Sequence, residues 1–279
     1  MDIEQALNDA LALGEEGRWT EMADILTTAL RDDEEEPYIL CWLGVAHREM
    51  GQDGVAYEYF KRCWRADPID PQLLALCGAG LAAFDDPDAE AALRAAALTG
   101  PDLPIARLHY GAYLAREGLF DQALEQLHAA VELDAEDPAV LGELGIAYAL
   151  KGEHARAAEV FEQTLELAPD DSWSRVLLGL LYGELSQAET AAETLLQAAR
   201  ERPEDAEAQL LAALAAVGVG WDDAGAEILA RAEYAQESVD AELIEEVQEV
   251  IEDGGDAAAA FLRETIGPAA LHDRLHQPI

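Results

Sequence analysis

The chain has 279 residues, 51% of them hydrophobic, with 58 acidic side chains against 17 Lys and Arg, a formal net charge of −41. Such a charge repels the phosphates of nucleic acid and of anionic lipid, which excludes both as expected partners and favours a segment carrying basic residues. No stretch of about 18 consecutive apolar residues is present, and the opening Met1-Asp2-Ile3-Glu4-Gln5 lacks the basic and apolar regions of a secretory signal, so a cytoplasmic protein that does not span a membrane is expected.

An internal period organises most of the chain. Units starting at Ile3, Pro37, Pro71, Pro104, Pro138, Ser172 and Ala206 follow one another at spacings of 34, 34, 33, 34, 34 and 34, and together cover residues 3–237. The first unit carries Asp9 where a large apolar residue is usual. In the second, Leu40-Cys41-Trp42-Leu43-Gly44 precedes Gly51, Ala56 and Phe60, then Pro68. The third is one residue short, in the turn near Asp85-Asp86-Pro87. The fifth runs Leu141-Gly142-Glu143-Leu144-Gly145-Ile146-Ala147-Tyr148, then Gly152, Ala157, Phe161 and Pro169. The seventh has Ala212 and Ala216 where bulkier residues are usual. Residues 238–268 read as a further, divergent hairpin capping the stack: Leu243, Ile244, Val247, Val250 and Ile251 form one apolar stripe, Asp253-Gly254-Gly255-Asp256 a turn, and Ala257 to Ile266 a second helix stopped by Gly267-Pro268. Residues 269–279 read as a tail that forms one helical turn or frays.

The columns have a physical cause. Each unit predicts two helices of about 12 residues, roughly 18 Å long. The eighth position holds Ala10, Gly44, Gly78, Gly111, Gly145, Gly179 and Ala213, and the twentieth Met22, Ala56, Ala89, Ala123, Ala157, Ala191 and Gly225. Small residues at these positions let the two backbones approach. Leu26, Phe60, Leu93, Leu127, Phe161, Leu195 and Leu229 at the twenty-fourth position fill the space beside that contact, and the mostly small twenty-seventh position admits the next unit. Pro68, Pro101, Pro169 and Pro203 end second helices, because proline lacks the amide donor and clashes with the preceding turn. Asp70, Asp137 and Asp171 are candidate caps for the helices that follow.

These columns resemble the tetratricopeptide repeat. The resemblance implies an all-α fold, a right-handed superhelical solenoid of antiparallel helical hairpins. It also implies that positions 2, 5, 6, 9, 12 and 13 of each first helix face a groove that receives a protein or peptide. Projected onto this chain, the candidate groove residues are Tyr38, Trp42, Val45 and Arg48; Leu76; Leu108, His109 and Arg116; Ile146 and Leu150; Trp173, Val176, Leu177 and Leu180; and Leu211. The set is mostly apolar in a strongly acidic chain, which suits an amphipathic helix or extended apolar segment with Trp42, Tyr38 and Trp173 as anchors. Such a face is either open to a partner or filled by the chain itself, for instance by its C-terminal hairpin. Members that bind chaperone tails carry Lys and Asn at positions 5 and 9. Here those positions hold Cys41 and Val45, Leu108 and Ala112, or Gly142 and Ile146, so that clamp is absent.

Nothing in the chain points to catalysis. There is no phosphate-cradling glycine loop, no serine in a nucleophile-elbow setting and no acidic pair set apart from the general acidity. His272 and His276 share a helical spacing without a third ligand. Asp85, Asp86 and Asp88 read as a solvated, cap-rich turn rather than an ion site, and Glu34 to Glu36 as a solvated edge. Cys41, Cys63 and Cys77 form no close sequence pair and read as buried, reduced thiols. The expectation is a non-enzymatic binding scaffold or adaptor without cofactor or metal. The alternatives are a self-associating structural protein (a homo-oligomer) and a peptide-sensing regulator.

Acid excess with two lysines, Lys61 and Lys151, and one asparagine, Asn8, also matches proteins that work in high salt. Charge repulsion is screened to about 3 Å at 1 M. The unfolding midpoint is therefore expected to climb between low and molar salt; a flat or falling midpoint contradicts this reading.

Overall fold

The computed structural model describes residues 3–30, 35–232 and 241–277, and every regular element among them is helical. The helices fall into two compact units, within residues 1–134 and 135–277. The first unit holds four antiparallel hairpins: α1 (Ile3–Glu15) with α2 (Trp19–Leu30), α3 (Pro37–Glu49) with α4 (Asp53–Arg65), α5 (Pro71–Ala82) with α6 (Ala89–Thr99), and α7 (Pro104–Arg116) with α8 (Phe120–Leu133). The second holds α9 (Pro138–Leu150) with α10 (His154–Leu167), α11 (Ser172–Glu184) with α12 (Ala188–Glu201), and α13 (Ala206–Gly218) with α14 (Asp222–Ala232). After these come α15 (Ala241–Glu252), α16 (Gly255–Phe261), a π turn at Leu262–Ile266 and α17 (Gly267–Leu275).

One contact recurs inside the hairpins. A Cβ built on Gly44 would lie 2.7 Å from the Phe60 ring; on Gly78, 2.7 Å from Leu93; on Gly111, 2.6 Å from Leu127; on Gly145, 2.9 Å from Phe161; and on Gly179, 2.7 Å from Leu195. Carbon atoms in contact sit roughly 3.5–4.0 Å apart, so a side chain at the eighth position would force the helices apart or displace the bulky residue. The turn between the two helices repeats as well. Gly17, Gly51, Asp85, Gly118, Gly152, Ser186 and Gly220 all have φ between 52° and 82°. Glycine takes that left-handed conformation without steric cost, whereas Asp85 and Ser186 hold it against the preference of an L side chain.

The helix starts are capped as the acidic composition allows. Asp70, Asp137 and Asp171 accept from the amides of Leu73, Ala139 and Ser174, and Asp205 does the same for Ala208. Glu36 is a cap rather than solvated edge: its carboxylate accepts from Ile39 N at 2.7 Å. Glu34 lies outside the described residues.

The turn before α6 departs from the solvated turn read from its three aspartates. The Asp86 side chain is 3% exposed and lies 2.7 Å from Lys61 Nζ. Tyr57 Oη donates to it at 2.8 Å, Asp88 N donates at 2.8 Å, and Lys61 also reaches Asp88 at 2.8 Å. Burial opposes ionisation of Asp86, but the Lys61 ammonium, the Asp88 amide and the Tyr57 hydroxyl outweigh it and hold its carboxyl below the usual range. One of the two lysines of the chain thus ties α4 to the α5–α6 turn.

The C-terminal segment also differs from its sequence reading. Gly267-Pro268 does not stop the helix. Pro268 sits in the first turn of α17, and the π turn before it, where Gly267 N donates to the Leu262 carbonyl five residues back, accommodates its missing amide. The tail therefore forms a helix through Leu275. Its packing is on first helices: α15, α16 and the π turn lie against α13, and α17 against α11 and α9. The segment runs back along that face. Residues 233–240 and 278–279, on which the ends of the sequence-derived boundaries fall, lie outside the described residues.

Two pairs of measurements test this packing. Gly111→Ala is expected to cost roughly 1–3 kcal/mol by overpacking against Leu127. Gly142→Ala, whose Cβ meets nothing within 4 Å, is expected to stabilise by roughly 0.5–1 kcal/mol through helix propensity; urea unfolding midpoints read both. Lys61→Met strands a buried carboxylate and is expected to cost about 3–5 kcal/mol near neutral pH. The folded Asp86 pKa lies below its ordinary 3.8. The stabilisation is therefore complete above about pH 4, and the wild-type advantage narrows as pH falls through the folded value.

Candidate functional site

In the first unit, α1, α3 and α5 stand side by side with their first-helix faces on one surface. A cavity of about 250 Å³ opens between them. Its walls are Glu4, Leu7, Asn8 and Leu11 of α1, Tyr38 and Trp42 of α3, and Gln72, Leu73 and Leu76 of α5. Leu73 is buried at the base, Trp42 and Leu76 are half-buried, and Tyr38 is 39% exposed at the rim. Burial and the neighbouring carboxylate of Asp70 push the Tyr38 phenol up, so it remains a hydrogen-bond donor at neutral pH. Helical spacing explains the convergence: Tyr38 and Trp42 are four residues apart on α3, as are Gln72 and Leu76 on α5 and Glu4, Asn8 on α1.

Further along α3, and on α7 of the same unit, the face turns partly cationic. Val45 and Arg48 on α3, and His109 and Arg116 on α7, are half-buried, and Leu108 is buried. His109 Nδ1 is buried without a hydrogen-bond partner. Burial, aided by the Arg48 guanidinium, brings its pKa down to about 4, so the ring is neutral at pH 7. Arg116 Nη1 donates to the Ala112 carbonyl at 3.2 Å.

The corresponding residues of the second unit are closed off. Val176, Leu177, Leu180 and Leu211 are buried, Leu177 with 0% exposure, and Ile146 is 2% exposed. Leu150 and Trp173 are half-buried. The returning C-terminal segment adds to this cover, since its α17 packs on α11 and α9. Trp173 Nε1 donates to Gln277 Oε1 at 3.3 Å. Arg274, 8% exposed, donates from Nη2 to Glu207 Oε2 at 2.6 Å and to Asp205 Oδ2 at 3.3 Å. Tyr38, Trp42, Val45 and Leu76 of the first unit thus keep part of their surface exposed, whereas Val176, Leu177, Leu180 and Leu211 of the second do not. A charge at Leu177 would disrupt the core and could not report on partner binding.

Sequence reasoning missed Leu7 and Leu11, which occupy the fifth and ninth positions of the first unit. The column rule itself would have found them had Asp9 not made that unit look degenerate. It also missed Arg274 and its acceptors, because no local pattern links residues 67 and 69 positions apart.

Groups suited to other chemistry are accounted for structurally. Among the described residues no set of three or more His, Cys, Asp and Glu is arranged to hold a metal ion. The His272 and His276 rings lie 4.2 Å apart on the exposed side of α17. Cys41, Cys63 and Cys77 are free, buried and adjacent; hydrogen bonding to Cys63 and burial hold the Cys41 and Cys77 thiols protonated.

Two tetratricopeptide-repeat family models match the sequence, over residues 37–70 and 111–172. No curated protein sequence matches it. Among solved structures, the APC/C hetero-tetramer Cut9–Hcn1 aligns at TM-score 0.69 and 19% identity, over 86% of this chain and 47% of that one. PilW, described as a widely conserved type IV pilus biogenesis factor, aligns at 0.62 and 20%, over 72% and 93%. The pilF structure of Pseudomonas aeruginosa aligns at 0.57 and 20%, over 72% and 91%. At these identities the likeness speaks for the fold, an all-α helical repeat solenoid. Hairpins closed by a glycine against a bulky partner recur at a period of 34, and over residues 37–70 and 111–172 they match the tetratricopeptide-repeat family models, so the chain carries tetratricopeptide repeats.

Proposed function

We propose that the chain is a non-catalytic interaction scaffold that holds an apolar segment of a partner protein on the first-helix face of its N-terminal unit. The observation that carries this reading is the cavity between α1, α3 and α5, walled by Leu7, Leu11, Trp42 and Leu76 with Tyr38 at its rim. At about 250 Å³ it falls below the roughly 300–1,000 Å³ of small-molecule pockets, and suits an anchoring side chain of a longer ligand. Trp and Tyr dominate binding hot spots because they bury much area at little conformational cost. The partner is an amphipathic helix or extended apolar segment. The net charge of −41 favours one that carries basic residues around its apolar anchor, since a complementary potential speeds encounter.

Trp42→Ala and Leu76→Glu separate this reading from a purely structural one. Both positions are half-buried at the cavity and pack on the core beneath it, so helicity should be retained while the unfolding midpoint falls, and capture is read well below each variant's midpoint. Capture of partner proteins by the immobilised chain should fall by about tenfold or more for each, the loss expected of a hot spot of 2 kcal/mol or above. Unchanged capture by both variants would contradict the assignment, and concentration-dependent light scattering with no captured partner would point to self-association instead.

A further inference from the structure

The segment that fills the second unit is built like a ligand. Helix α17 presents Ala270, Leu271, Arg274 and Leu275 inward, one face of a short amphipathic helix, while His272, Asp273 and His276 stay exposed. Gly267, at its start, lines a cavity with the C-terminal ends of α11 and α13, whereas Arg274 and Gln277, at its end, meet residues at their N-terminal starts. The helix therefore lies antiparallel to the first helices it covers.

Three features of the seat favour release over permanence. Arg274 is buried against Glu207 and Asp205, and a buried ion pair offsets much of its attraction with lost hydration, so it specifies a geometry better than it stabilises one. The π turn at Leu262–Ile266 interrupts the regular helical hydrogen bonding above the seat. Beside it a groove of about 270 Å³ opens to solvent, walled by Leu180, Gly183, Leu214, Gly218 and Leu262 with Glu184 and Arg263 among its lining, so the segment is packed incompletely on this side.

We propose that the first-helix face of the second unit is a second docking site, for a short partner helix with two adjacent apolar residues followed by an Arg three positions later, and that α17 is its resident competitor. Glu207 and Asp205 supply the arginine's acceptors. The acidic surface favours a cationic helix of this kind. The site is separate from the cavity of the N-terminal unit and does not depend on it.

The test uses the full chain and a labelled synthetic peptide of residues 255–279 as probe. Arg274→Glu places a carboxylate against Asp205 and Glu207 and releases α17. Apparent affinity scales with the fraction of molecules whose site is vacant, so the variant should bind the peptide at least about tenfold tighter than wild type by anisotropy. Adding Glu207→Arg restores a pair of opposite charges within the chain, reseats α17 and should abolish that gain. Hydrogen exchange on the wild-type chain supplies an independent readout if the variant folds poorly. Amides of α17 should exchange through local opening, at least about tenfold faster than those of α11. Equal peptide binding by wild type and variant, binding indifferent to Glu207→Arg, or α17 amides exchanging only with global unfolding would each overturn the proposal.

Discussion

The approach of glycine at the eighth position of a first helix to a Phe or Leu at the twenty-fourth position is the contact on which the architecture rests. Five hairpins repeat it, with Gly44 on Phe60 and Gly145 on Phe161 as the aromatic cases. Because a glycine inside a helix carries an entropic cost relative to alanine, its recurrence there implies a packing demand strong enough to outweigh propensity. Once the two axes are held that close, the small residues at the twenty-seventh position can accept the next hairpin. Within each unit the first helices then stack on a common face. The candidate binding surfaces are consequences of this one distance.

Against that uniform frame the charges are used sparingly. With 58 carboxylates and 17 Lys and Arg side chains, most of the surface repels itself, yet Lys61 and Arg274, like Arg175 with Glu201, are placed where they join separate elements. Lys61 holds the buried Asp86 across α4 and the α5–α6 turn. Arg274 holds α17 against the start of α13. Both are buried or nearly so, where salt screens them little. Their geometry should therefore survive conditions that change the surface repulsion. Carboxylates also serve as caps: Glu36, Asp70, Asp137, Asp171 and Asp205 each close the start of a first helix, so part of the acidity is structural.

What the sequence made legible was what is periodic. Gly111 and Leu127 could be paired by column alone, and Asp70, Asp137 and Asp171 read as caps by their place before a helix. The fold class followed from such local, repeated constraints. What escaped was non-periodic and long-range. Gly267-Pro268 has the composition of a helix stop, yet Pro268 occupies a first turn and the chain continues as helix. Nothing near Arg274 in sequence names Glu207. Asp86 looked like one more solvated turn residue until Lys61 and Tyr57, 25 and 29 positions away, were placed around it. The candidate groove was legible as a set of positions, but whether each position is open depended on a segment whose own sequence gave no sign of where it packs.

The central claim is that two equivalent faces are in opposite states, one open and one covered by the chain's own C-terminal helix. Hydroxyl-radical footprinting of the full chain tests it most directly. Tyr38, Trp42 and Leu76 should be oxidised readily, while Leu177 and Leu211 stay protected and gain reactivity when the C-terminal segment is released. Comparable oxidation of both sets in the intact chain, or protection of Tyr38 and Trp42 equal to that of Leu177, would contradict it.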